Sequence, residues 1–184
     1  MTGGVLPILG ILLLFGGVRR GTAFLAAVGI HELGHLLGAW ITGTRLRRLG
    51  SGMAGLHLDF RTENLPYRIE LLVLLAGSLM GLTSAGLCRL LGIWPDYCIC
   101  ALGLNLVNLL PIGGLDGGGI LVCLLHRWTD GDRADRICRG ISVWCAILFW
   151  LAGAWIVLRA EPNPTWLLFG MAAVAKSLRD WDMA

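Results

Sequence analysis

Charge is what this sequence lacks. Only 15% of its 184 residues are Asp, Glu, Lys or Arg, against about 25% in an ordinary soluble domain. That is too little to cover a water-facing surface, which argues against a disordered chain and an ordinary cytosolic enzyme. The formal net charge of +3 builds no strongly basic patch, so nucleic acid is not an expected partner. Cysteine pairing is missing as well. Cys88, Cys98, Cys100, Cys123, Cys138 and Cys145 include no C-x-x-C pair, so neither a zinc knuckle nor a disulfide framework is signalled. They read as small buried hydrophobes. Internal repeats and low-complexity tracts are absent too, and the apolar runs leave no room for an appended soluble domain.

What the sequence has is apolar length. Hydrophobic residues make up 56% of it, and the mean hydropathy is +0.73. A bilayer core needs about 20 apolar residues of helix. Six runs are candidates: 4–18, 21–42, 69–93, 97–125, 138–158 and 164–178. The first is short and stops at Arg19-Arg20; it lacks the basic start and the cleavage site of a signal peptide, so a retained helix is expected. The fourth is too long and too rich in glycine for one clean helix. The expected fold is an all-α polytopic membrane protein of about six transmembrane helices, a single membrane-embedded domain over 1–184. Eleven of the Lys and Arg residues flank or occupy the loops on the side of the two termini and four lie opposite, which predicts cytoplasmic termini. Trp40, Trp94, Trp128 and Trp166 fall near span ends, where interfacial aromatics belong. In the loop 43–68, Leu56, Leu58 and Phe60 alternate with His57 and Asp59, a strand pattern that predicts a small interfacial β element. The basic run Arg45, Arg47, Arg48 marks topology and contact with anionic lipid.

Against this background two carboxylates are out of place. Glu32 and Asp116 lie well inside apolar segments, where an unpaired charge costs at least about 2.5–3.5 kcal/mol. Glu32 belongs to His31-Glu32-Leu33-Gly34-His35, the H-E-x-x-H pattern. Residues four apart share a helix face, so His31 and His35 can offer two imidazole nitrogens to one metal. Glu32 is turned about 100° from His31 and can reach a water on that metal. Catalytic zinc needs a third protein ligand and an open position, and its water titrates near 7, within reach of Glu32 as a base. His31 is the eleventh residue of its run, which puts the site about 15 Å deep, so a polar cavity must let water in.

Asp116 is the expected third ligand. It follows Asn108-Leu109-Leu110-Pro111-Ile112-Gly113-Gly114-Leu115 and precedes Gly117-Gly118-Gly119. Pro111 and the glycines predict a helix break that lets the carboxylate turn toward the histidines. Asn108 can hydrogen-bond a substrate or tie helices together. Gly77, Gly81 and Ala85 form a small-residue face on the third run, which predicts close helix packing. His57 and His126 read as solvated or interfacial side chains. A metal-ion transporter would also place histidines and acids in mid-membrane, but on more spans than the two seen here. A catalytically silent membrane scaffold or a metal-free assembly subunit would share the apolar composition, although a complete set of ligands and base weighs against a silent scaffold.

These two motifs, His31–His35 and Asn108–Gly117 in the form Asn-x-x-Pro-x-x-x-x-Asp-Gly, resemble those of the site-2 protease family of intramembrane zinc metalloproteases. The resemblance covers a three-helix core, about 21–125, with accessory helices at 4–18, 138–158 and 164–178. It implies one zinc ion held by His31, His35 and Asp116, Glu32 as catalytic base, and Asn108, Pro111 and Gly117 as substrate-positioning residues. It further implies cleavage of a membrane-associated or transmembrane protein within or near the bilayer, and a membrane partner able to regulate it. Six spans with the first motif in the second are similar to the bacterial branch that processes the sporulation sigma-K precursor, which implies a bacterial cell membrane. Three departures stand out. No C-terminal nucleotide-sensing CBS domain precedes Ala184, Ala76-Gly77-Ser78 replaces the usual Ala-Gly-Pro, and Gly114 stands where proline is common. The envelope-stress type is not expected, because there is no room for its PDZ domain.

Overall fold

The computed structural model describes residues 5–44, 46–52, 55–60 and 66–159. The expected span at 164–178, with Trp166, lies outside the described residues. The chain divides into two compact units, Met1–Leu109 and Leu110–Ala184.

The first unit holds helix α1 (Val5–Ile41), strands β1 (Leu46–Gly52) and β2 (Gly55–Phe60), and helices α2 (Tyr67–Leu90) and α3 (Pro95–Asn108). The boundary expected at Arg19-Arg20 falls slightly earlier. Gly17 leaves the helical conformation at φ 71°, ψ 170°, a region open to glycine because it has no Cβ. Just beyond it, Arg19 pairs with Asp96 in the first turn of α3 at 2.6 Å. β1 and β2 pair antiparallel, from Leu46 opposite Phe60 to Gly52 opposite Gly55. Helix α2 starts after Pro66 and carries Glu70 in its first turn and Arg89 in its last, the signs that the helix dipole favours. Gly92 at φ 68° turns the chain out of α2, and Ile93 N–H closes onto Cys88 O at 3.0 Å. Pro95 then opens α3, where its missing N–H costs nothing.

The three helices bury small residues against one another. Ala23 and Ala27 of α1, Ala85 of α2 and Tyr97 and Ala101 of α3 form the core. On α1 the buried stripe continues through His31, Gly34, His35 and Gly38, the spacing of one helix face. A Cβ on Gly34 would come within 2.8 Å of Gly77 Cα, and one on Gly38 within 2.8 Å of Ala76 Cβ. The helices therefore touch nearly backbone to backbone, as the small-residue face predicted.

The second unit contains α4 (Asp116–Trp128) and α5 (Gly131–Arg159). The long run 97–125 is thus two helices, broken where Pro111 and the glycines predicted. Gly114 adopts φ 88° in the break. A Cβ on Gly118 would collide with the Ile112 carbonyl, so the loop can fold back over the start of α4 only because residue 118 has no side chain. Ser142 Oγ of α5 accepts the Gly113 N–H at 2.7 Å and ties this loop down.

Among the described residues, three helical stretches are long and apolar enough to cross a membrane by length and composition: Gly17–Ile41, Tyr67–Leu90 and Gly131–Trp155. Helices α3 and α4 have 14 and 13 residues, short of the usual transmembrane length of about 20. Trp40 and Trp128 sit at helix ends and are well exposed. No disulfide forms among the described residues; Cys123 and Cys138 are buried and the other four cysteines half-buried.

Candidate metal centre

His31 and His35 lie one turn apart on α1, 4% and 6% exposed. Each ring is held by an acceptor on another helix. His35 Nδ1–H donates to Val73 O of α2 at 2.8 Å. His31 Nδ1–H donates to Asn105 Oδ1 of α3 at 2.9 Å. Both partners are oxygens that can only accept, so each neutral ring keeps its proton on Nδ1. Both Nε2 lone pairs then point inward, 3.1 Å from each other. Two ring nitrogens that converge from one helix face are the arrangement in which imidazoles share one metal ion. The pair therefore fits a metal ion, with the two tautomers already set for ligation.

Where α2 passes the His35 ring it carries no side chain. A Cβ on Gly77 would fall within 2.8 Å of His35 ring atoms. The expected packing face is therefore also the wall against which the ligand ring lies. Asn108, the last residue of α3, brings Nδ2 to 3.2 Å from His31 Nε2. Among the described residues of this unit, the structure brings together His31, His35, Asn108 and a residue that neither motif contains, Asn105. Its only sequence signal was a polar residue inside an apolar run.

Glu32 is half-buried on α1, beside His31 in sequence and turned off the face that carries the two imidazoles. In the second unit, Asp116 is the first residue of α4. A carboxylate is favoured there by the helix dipole, and the preceding Leu115 is extended at φ −105°, ψ 161°. Asp116 is the carboxylate that the second motif offers as a ligand. Pro111 lies in the break before α4, and Gly117 is buried in its first turn. His126 of α4 is exposed and paired with Asp135 at 2.8 Å, in keeping with the solvated or interfacial histidine expected there.

No protein-family model matches the chain. Among solved structures it superposes on a site-2 protease from Methanocaldococcus jannaschii with a TM-score of 0.72. That match covers 96% of this chain and 85% of the other, at 18% identity. The fold is that of a site-2 protease. In sequence the chain is 28% identical over 173 residues to stage IV sporulation protein FB of Bacillus subtilis (strain 168), covering 89% of this chain. The chain spans 59% of that relative's length. The resemblance read from the two motifs thus holds in sequence and in fold. In this chain the two histidines lie on α1 and Asn108 ends α3.

Proposed function

We propose that this protein is an intramembrane zinc endopeptidase that cleaves a membrane-associated or transmembrane protein within or near the bilayer. The observation that carries this reading is the pair of buried Nε2 atoms at 3.1 Å, each ring fixed by an Nδ1 acceptor. Two imidazoles on one helix face, with their Nδ1 atoms engaged elsewhere and their Nε2 atoms converging, are set as ligands of one metal ion are.

His31 and His35 would hold the ion, with Asp116 as the third ligand. When bound, zinc supplies Lewis acidity to the scissile carbonyl and acidifies a coordinated water. Glu32 accepts a proton from the attacking water and returns it to the leaving amine. The Asn108 amide, 3.2 Å from His31 Nε2, can donate to the carbonyl oxygen as negative charge builds there. Pro111 and Gly117 position the substrate, as the second motif implies, and Pro111 leaves the segment before α4 without one helical N–H donor. The β1–β2 hairpin lies at the membrane interface in this reading, six helices span the bilayer of a bacterial cell, and both termini are cytoplasmic. The similarity to a sporulation protein supports a sigma-factor precursor as one candidate substrate, under control of a membrane partner.

Purified protein tests the metal. We expect one tightly held zinc per chain, measured by plasma mass spectrometry after gel filtration. Asp116→Asn keeps the shape of the side chain but removes its charge, and should leave less than about a tenth of that zinc after dialysis against a weak chelator. Unchanged zinc in this variant would point to a different third ligand. Wild-type protein without zinc would remove the basis of the proposal.

A further inference from the structure

We propose that Asn105 is a positioning residue that sets the tautomer of His31 and through it the affinity for zinc, an assignment that rests on the metallopeptidase reading above. Asn105 lies outside both motifs. It is completely buried on the stripe of α3 that also carries Tyr97 and Ala101. A carboxamide in such surroundings is expensive unless both of its ends are hydrogen-bonded. Both are. Its Nδ2 donates to Ala101 O at 2.7 Å, and its Oδ1 accepts from His31 Nδ1 at 2.9 Å.

The order of these two bonds decides the chemistry. Ala101 O can only accept, so it fixes the amide with nitrogen toward the helix and oxygen toward His31. That oxygen can only accept in turn, so the His31 proton stays on Nδ1. Nε2 is left as the ligand atom facing His35. Without the acceptor, the ring can carry its proton on Nε2, where it blocks a metal. Gly81 supplies the space. A Cβ there would lie 2.5 Å from Asn105 Oδ1 and 2.6 Å from Cγ. Residue 105 must therefore be an acceptor of this length, and residue 81 must have no side chain.

The experiment compares the purified full chain with Asn105→Leu, Asn105→Asp and Gly81→Ala. Zinc affinity is read by competition with a chromogenic chelator. The tautomer of His31 is read in metal-free protein from ¹⁵N-histidine NMR. We expect Asn105→Leu to weaken zinc binding by about 10–100-fold and to shift His31 toward the Nε2-protonated form. Asn105→Asp keeps the acceptor for His31 but loses the N–H that Ala101 O receives, so it should hold His31 in the Nδ1-protonated form even if zinc affinity falls. Gly81→Ala displaces the carboxamide and should follow Asn105→Leu.

A folded Asn105→Leu variant with wild-type affinity and tautomer would overturn the proposal. So would an Asn105→Asp variant in which His31 moves to the Nε2-protonated form as in the leucine variant, because the acceptor on residue 105 would then not be what sets the tautomer. If Asn105→Leu does not fold, Asn105→Asp and Gly81→Ala decide the question in the same way. Wild-type protein that binds no zinc would overturn the metallopeptidase reading instead, and the tautomer of His31 in these variants would still report on Asn105.

Discussion

Glu32→Gln is expected to slow cleavage of a co-expressed membrane-tethered substrate by about 10²–10⁴-fold, the usual contribution of a general acid–base group, while bound zinc stays at the wild-type level. Glutamine has the size and shape of glutamate and can still hydrogen-bond a water. What it cannot do is take a proton. Glu32 is half-buried one residue along from His31, off the face that carries His31 and His35, so its removal should not disturb the ligand atoms. Loss of cleavage with zinc intact therefore separates the base from the ligands. The measurement is the ratio of cleaved to full-length substrate in membranes, with metal content determined on the same preparations. A variant that cleaved normally would refute the proposed mechanism. A variant that lost both cleavage and zinc would make Glu32 a ligand or a structural residue instead.

The second large effect is expected at Gly77, where nothing reactive is present. His35 Nδ1 is bonded to Val73 O at 2.8 Å, and the same ring lies over Gly77 one turn further along α2. Helix α2 thus holds the ring at one residue and must stay bare at another. In Gly77→Ala the new methyl would overlap the ring at Cε1 and Cδ2, at 2.5 and 2.8 Å. Those atoms belong to a rigid imidazole, not to the end of a flexible chain. The ring must move away, and its Nε2 with it, or the helices must separate. We expect zinc affinity to fall by about 100-fold, with a stability cost of about 1–3 kcal/mol for overpacking. Gly86→Ala on the same helix is the control. A Cβ at residue 86 meets nothing within 4 Å, so this change should leave zinc binding alone and stabilise the helix by up to about 1 kcal/mol. Chelator competition and thermal unfolding in detergent read both. If Gly77→Ala bound zinc as tightly as wild type, the wall of α2 would not be what fixes His35.

These two substitutions also mark how far the sequence could be read. Glu32 was legible because a carboxylate in an apolar run is costly, and because the H-E-x-x-H spacing puts both histidines on one face of any α-helix. The break after Asn108 was legible for an equally local reason: Pro111 has no N–H for a helical ladder, and Gly113-Gly114 make continuing the helix costly. The small-residue face of Gly77, Gly81 and Ala85 was visible too, but only as a surface on which a neighbour can lie close. Ala85 does take part in the core in that sense. Gly77 and Gly81 instead accommodate the side chains of His35 and Asn105, and spacing along one helix cannot say which atoms arrive from another.

By itself, then, the sequence determined what depends on neighbours in the chain: the apolar helices, the shared face of His31 and His35, and the loop before Asp116. The tertiary structure decided what depends on neighbours in space. It chose Val73 O and Asn105 Oδ1 as the acceptors for the two rings, and so which nitrogen of each histidine faces inward. The reason is that a helix fixes the direction in which an imidazole leaves the backbone, whereas the proton on its ring goes to whichever acceptor the packing of three helices brings within reach.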